Sequence, residues 1–165
     1  MIRVGILTAS DKSSRGERED LAGPALRELV REIDGQVVEY AVLPDEQELL
    51  AAKMREWSDE LSLDLILTTG GTGFSPRDVM PEATLSVADR LAPGFAEVMR
   101  AESLKITSRA MLSRAAAALR KKTLIINMPG SPKAVRECFA AVAPAIPHGI
   151  EVLKGEVNEC AADKK

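Results

Sequence analysis

The sequence is poor in residues that build covalent, metal-ligating or base-stacking centres. Its 165 residues include one tryptophan, one tyrosine, three phenylalanines, a single histidine (His148) and two cysteines, Cys138 and Cys160. So few rings leave little for a surface that stacks nucleic-acid bases, and a net charge of −3 supplies no basic footprint for a phosphate backbone. No nucleic-acid partner is expected. Two cysteines make no disulfide framework, so a reducing cytoplasm is the expected location. One histidine without a Cys or His partner does not read as a metal site, and neither Gly-x-Ser-x-Gly nor His-Glu-x-x-His occurs. No apolar run approaches the roughly 20 residues that cross a bilayer. The start of the chain, with Arg3 and a short apolar stretch before Asp11, does not read as a secretory signal peptide.

What remains is an ordinary globular composition, 45% hydrophobic and 28% charged. The length fits one domain, expected over 1–155 with a polar tail over 156–165. The core must be aliphatic. Met1–Ala9, Val37–Leu43, Asp64–Thr69 and Thr123–Met128 read as strands. Between them lie helical spacings: Leu26, Leu29, Val30 and Ile33 after Pro24; Leu49, Leu50, Met54 and Trp57 on one side of a helix after Asp45; then Glu82 to about Leu91, Phe95 to about Ile106, and Ala110 to Leu119. After the last strand, helices are expected from Pro132 to about Val142 and over His148–Leu153. Strands separated by helices predict an α/β fold, a three-layer sandwich around a mainly parallel sheet.

In such sheets ligands bind beyond the carboxyl ends of the strands, near a switch in strand order. The four predicted strands deliver Ser10-Asp11, Pro44-Asp45, Thr69-Gly70-Gly71-Thr72-Gly73 and Pro129-Gly130-Ser131-Pro132-Lys133 to that one edge. Three glycines in five residues permit positive φ and close backbone approach, and their free N–H groups can form an anion nest. The loop is neither a Walker A loop nor a Rossmann fingerprint, and it also reads as a plain tight connection. Asp78, five residues past Gly73, repels a bound phosphate unless a cation lies between them; Mg²⁺ uses such carboxylates together with substrate phosphates. The bland alternative is a turn-stabilising Asp. Asp45 likewise reads either as a partner of Asp78 or as the N-cap of a capping box closed by Glu48. Ser131 and Pro132 fit N-cap and first-turn positions. Lys133 in that first turn opposes the helix dipole unless an anion is bound there, and Arg77 poses the same question. The charged run Arg15–Asp20 reads as solvated surface, within a long loop from Ser10.

Leu67-Thr68-Thr69-Gly70-Gly71-Thr72-Gly73, continuing through Arg77-Asp78-Val79 to Pro81-Glu82-Ala83-Thr84, resembles the molybdenum-cofactor biosynthesis domain family. So do Ile126–Val135, Thr8–Asp11, Leu43–Glu46, Pro93–Phe95 and Met111–Arg114, which together span nearly the whole chain in order. The Leu43–Glu46 and Pro93–Arg100 segments are most similar to the molybdopterin adenylyltransferase branch, less so to MoaB-type paralogues. The resemblance implies transfer of AMP from ATP to the phosphate of molybdopterin, with Mg²⁺, in a homotrimer that hands its product to a molybdate-insertion protein. It implies catalytic, metal-holding roles for Asp45 and Asp78. It implies ligand contacts from Ser10, Asp11, Thr69 to Gly73, and Pro129 to Lys133. The alternative it leaves is a non-catalytic pterin-binding or scaffold protein of the same fold. One departure is visible: a glycine usual after the Ser113-Arg114 pair is replaced within the run Ala115–Ala118, where alanine favours helix.

Overall fold

A computed structural model of the chain describes residues 1–156. Cys160 and nearly all of the expected tail lie outside the described residues. Six strands form one sheet: β1 (Ile2–Ala9), β2 (Gly35–Leu43), β3 (Leu65–Thr69), β4 (Arg90–Leu91), β5 (Ala117–Arg120) and β6 (Thr123–Met128). Their order is β2-β1-β3-β6-β5-β4. The first four in that order are parallel, and β5 and β4 add an antiparallel edge.

The apolar residues of the central strands alternate between the two faces, as a period of two requires. Val4, Ile6, Leu65, Leu67, Leu124 and Ile126 face one core cluster. It is covered by α2 (Ala22–Leu29), α5 (Pro93–Leu104), α6 (Pro132–Val142) and α7 (Ile146–Lys154). Leu7, Ile66 and Ile125 face the other cluster, under α3 (Gln47–Asp59) and α4 (Met80–Val87). This is the predicted three-layer sandwich around a mainly parallel sheet. Both faces are covered, so β3 and β6 are buried along their whole length, around the apolar runs Leu65–Leu67 and Leu124–Ile126.

Several local expectations fail for physical reasons. Ala110–Leu119 is not a helix: Ser108–Leu112 forms a 3-10 turn and Ala117–Arg120 is strand β5. Pairing with β6 and burial of Ala117 and Ala118 outweigh the helical preference of alanine. The helix from Glu82 stops at Val87, because Ala88 turns extended and the chain enters β4. On α3, Leu49 is exposed; Leu50, Ala51, Met54 and Trp57 form the buried side. The last helix begins at Ile146 rather than His148, with Pro147 in its first turn, where its missing N–H costs nothing. The loop after Ser10 begins with a single turn, α1 (Asp11–Ser14), which Ser10 caps by accepting the Ser13 N–H.

One buried polar network ties the layers together. The Asn127 side chain, wholly buried on β6, donates to Thr68 Oγ1 on β3 (3.0 Å) and to Thr84 Oγ1 on α4 (2.8 Å). Its oxygen accepts the Ala116 N–H at 3.1 Å, just before β5. Asn127→Ala orphans that N–H and takes a donor from two buried hydroxyls, of which Thr84 keeps its bond to the Met54 sulfur, at about 2–3 kcal/mol. In urea unfolding, the variant should show a lower midpoint with an unchanged slope; an unmoved midpoint would contradict this role.

Candidate active site

β1 and β3 are neighbours, yet the chain leaves them toward opposite ends of the sheet, β1 toward β2 and β3 toward β6. Their carboxyl ends are therefore the topological switch point, where a crevice opens. Gly70, φ +84°, follows β3 there, and a Cβ on it would stand 2.3 Å from the Ala9 carbonyl oxygen at the end of β1. Only glycine fits. On its other side Gly130 packs close: a Cβ built there would lie 3.4 Å from Gly70 Cα. The Thr69 hydroxyl donates to the Pro129 carbonyl at 2.7 Å, joining the β3 and β6 loops.

The glycine loop also sets the two acidic candidates. A Cβ on Gly71, φ +67°, would meet Asp45 Oδ1 at 3.2 Å, and one on Gly73 would meet Asp78 Oδ2 at 2.8 Å. Both carboxylates thus lie against the same loop, and both line one cavity of about 610 Å³. Ser10, Thr69, Gly70, Gly71, Gly130, Ser131 and Pro132 line it with them. Ser131 caps α6, accepting the Ala134 N–H at 3.3 Å, so that helix N-terminus opens on the cavity.

Asp45 is not the N-cap of α3; Glu46 holds that place without a side-chain bond. Asp45 instead exchanges two bonds with Asp11: its Oδ2 accepts the Asp11 N–H (2.9 Å), and its N–H donates to Asp11 Oδ1 (3.0 Å). Asp78 Oδ2 accepts the Ser75 N–H at 2.9 Å, so the turn-stabilising reading of that carboxylate also holds. Burial pushes the Asp45 carboxyl above its ordinary value, and the nearby Asp11 and Asp78 charges push the same way.

Other candidates stand behind the wall. Arg77 grips both oxygens of Asp11 (3.0 and 2.9 Å) and reaches Glu46 at 3.1 Å, which binds the β1, β2 and β3 loops to one another. It is no free phosphate clamp. Lys133 is exposed and lies 3.8 Å from Glu137, one turn along α6. Asp11, Thr72, Gly73, Pro129 and Lys133 do not line the cavity.

The sequence reading missed the far wall, where Thr8, Ser13, Arg18, Glu19 and Asp20 stand. Asp20 accepts from the Thr8 hydroxyl (2.6 Å), from the Tyr40 hydroxyl and from the N–H groups of Ala22 and Gly23. Burial opposes its ionisation, yet these four donors hold its carboxyl below the ordinary value. Burial, aided by Asp20, pushes the Tyr40 hydroxyl up to about 12. The available signal was an Asp two residues before an apolar helix, a capping position within the run read as solvated surface. Among the described residues, Arg18 is the one cation on a cavity wall that also carries Glu19, Asp20, Asp45 and Asp78.

No group of three or more His, Cys, Asp or Glu side chains among the described residues forms a ready cage for an ion. The donor set is Asp45 and Asp78, which suits a hard cation that arrives with anionic oxygens on its ligand. The carboxylates, the glycine amides and the α6 N-terminus together can align a phosphorylated ligand and a divalent cation. Such a site works through charge and position, without a protein nucleophile.

The raised Asp45 carboxyl carries a stability signature. Its native form holds the proton more tightly than the unfolded chain does, so the native state loses stability as pH rises through the carboxylate range. Asp45→Asn, which keeps an acceptor for Asp11, should unfold at a higher temperature than wild type at pH 7, with the gap closing toward pH 3. Thermal unfolding followed by circular dichroism across that range checks it; an equal gap at both ends would contradict it.

Comparison with known proteins bears on the site. The family model described as "Probable molybdopterin binding domain" matches residues 5–148. A molybdopterin adenylyltransferase of Helicobacter pylori strain J99 is 45% identical over 163 residues, covering 96% of this chain and 93% of its own. The molybdopterin adenylyltransferase of Escherichia coli K12 is 39% identical over 176 residues, covering 98% and 90%. Among solved structures, the molybdopterin biosynthesis enzyme MoaB of Thermus thermophilus superposes with a TM-score of 0.89 at 49% identity, covering 94% of this chain and 98% of its own.

Proposed function

This chain belongs to the molybdopterin-binding domain family, and we propose on that premise that it transfers AMP from ATP to the phosphate of molybdopterin, in molybdenum cofactor biosynthesis. An oxygen of the pterin's phosphate attacks the α-phosphorus of ATP. The new P–O–P linkage forms, the bond from the α-phosphorus to its β-bridging oxygen breaks, and pyrophosphate leaves. The observation that carries this reading is the placement of Asp45 and Asp78 on one cavity, against one glycine loop. The substrate's own phosphate is the nucleophile, which agrees with a cavity wall on which no Cys or His stands among the described residues.

Mg²⁺ fits the donor set: Asp45 and Asp78 would hold it, and it would neutralise phosphate charge as pyrophosphate departs. Gly70, Gly71 and the first turn of α6 offer amide dipoles to anionic oxygens. Arg18 offers the cavity's positive side chain to the phosphates. The proposal extends to a cytoplasmic homotrimer that passes adenylylated pterin to a molybdate-insertion protein. No helix among the described residues is long and apolar enough to cross a membrane, and the exposed Val98, Leu104, Ile106, Met111 and Leu112 support assembly.

Pyrophosphate release from molybdopterin, ATP and Mg²⁺ tests the reading. Wild type should turn over only with pterin present, and Asp45→Ala and Asp78→Ala should each lower kcat about 100-fold or more with folding intact. Pterin binding without pyrophosphate would instead support the scaffold alternative, and ATP consumption without pterin would indicate a hydrolase. Arg18→Ala should raise the KM for ATP about tenfold, the worth of one charge-assisted bond; an unchanged KM would remove Arg18 from the site.

A further inference from the structure

We propose that Arg114 is a positioning residue for this reaction: one guanidinium clamps both ends of the loop that carries Asp78, and so fixes where that carboxylate stands. The inference rests on the adenylyl-transfer reading above. The chain leaves the sheet after Thr69, passes through Gly73 and returns at Asp78 before α4. Arg114 Nε donates to the Gly73 carbonyl at 2.8 Å, and Nη2 donates to the Asp78 carbonyl at 2.7 Å. The Arg114 main-chain N–H donates to the Thr72 carbonyl at 2.9 Å. Three carbonyls of one short excursion are thus held by a single residue.

The clamp is itself fastened. Arg114 Nη1 pairs with Glu82 on α4, whose carboxyl is held below its ordinary value by that bond. Arg114 stands between the 3-10 turn Ser108–Leu112 and β5, so the segment that carries it is anchored to the sheet three residues later, at Ala117. It does not line the cavity, and it reaches the chemistry only through Asp78. The link is short, because the Asp78 carboxylate lies against Gly73, whose carbonyl Arg114 grips. Loosening the grip on Gly73 and Asp78 shifts the carboxylate relative to Asp45, and a displacement near 1 Å at such a site costs about 100-fold in rate. Lysine is no substitute: its three N–H donors all sit on one nitrogen, where the loop takes bonds from two separate nitrogens of a planar fork.

The test is a kinetic cycle with a structural arm. Wild type, Arg114→Lys, Asp78→Asn and the double variant are compared for pyrophosphate release. Arg114→Lys should lower kcat about 10- to 100-fold with a similar KM for molybdopterin. The double variant should be no slower than Asp78→Asn alone, because Arg114 acts through that carboxylate. Glu82→Gln, which leaves both carbonyl bonds in place, should stay within about threefold of wild type. The structural arm needs no turnover. The carboxyl ¹³C resonance of Asp78, assigned by its loss in Asp78→Asn, should move in Arg114→Lys while that of Asp45 stays. Additive rate losses in the double variant, or an Asp78 resonance that does not move, overturn the proposal. Absence of pyrophosphate release by wild type overturns the adenylyl-transfer reading instead, and the resonance then decides the Arg114 claim alone.

Discussion

Everything at the site depends on how closely the end of β3 approaches the end of β1. Gly70 sits where any side chain would run into the Ala9 carbonyl, and Gly130 closes on it from the β6 side. That contact lets three parallel strands finish in one tight cluster, and the switch in strand order opens a crevice directly above it. The same loop gives Gly71 and Gly73 no side chains, and the space is occupied by the carboxylates of Asp45 and Asp78. A residue with a Cβ at any of these three positions would push apart the groups that the crevice exists to assemble.

The electrostatics follow from that crowding. Burial and the neighbouring Asp11 and Asp78 charges make ionised Asp45 less favourable than an ordinary carboxylate. A functional site commonly holds such a cost, which its ligand relieves. Several of the charges around Asp45 have partners. Arg77 neutralises Asp11 and Glu46, Arg114 neutralises Glu82, and four donors surround Asp20. On the proposed reading, Asp45 and Asp78 are left to a cation and Arg18 to an anion, which suits a metal-bound polyphosphate.

Much of this was legible in the residues. Alternating apolar strands and helices specified the layered sheet, because burial on both faces writes continuous apolar runs into β3 and β6. The glycines of 70–73 and the acids 45 and 78 were legible as loop residues at one edge. What was not legible is long-range. Alanine's helical preference hid β5, whose existence depends on pairing with β6 and on the Asn127 bond to Ala116. Asp45 obeyed the local rule for a capping box, yet its partner is Asp11, 34 positions away. Asp20 and Arg18 looked like solvated surface because nothing local records that β2 brings Tyr40 up against Asp20 or that both residues line the cavity. Arg114 meets its carbonyls about 40 positions upstream, a separation that no window of sequence spans.

The central claim is that Asp45 and Asp78 together receive the cation that accompanies the nucleotide. Anomalous scattering from Mn²⁺, in crystals grown with a non-hydrolysable ATP analogue, tests it most directly. A metal peak within bonding distance of both carboxylates and of the analogue's phosphates, beside Gly70 and Gly71, is expected. A nucleotide bound in the cavity with its metal held by neither carboxylate would contradict it.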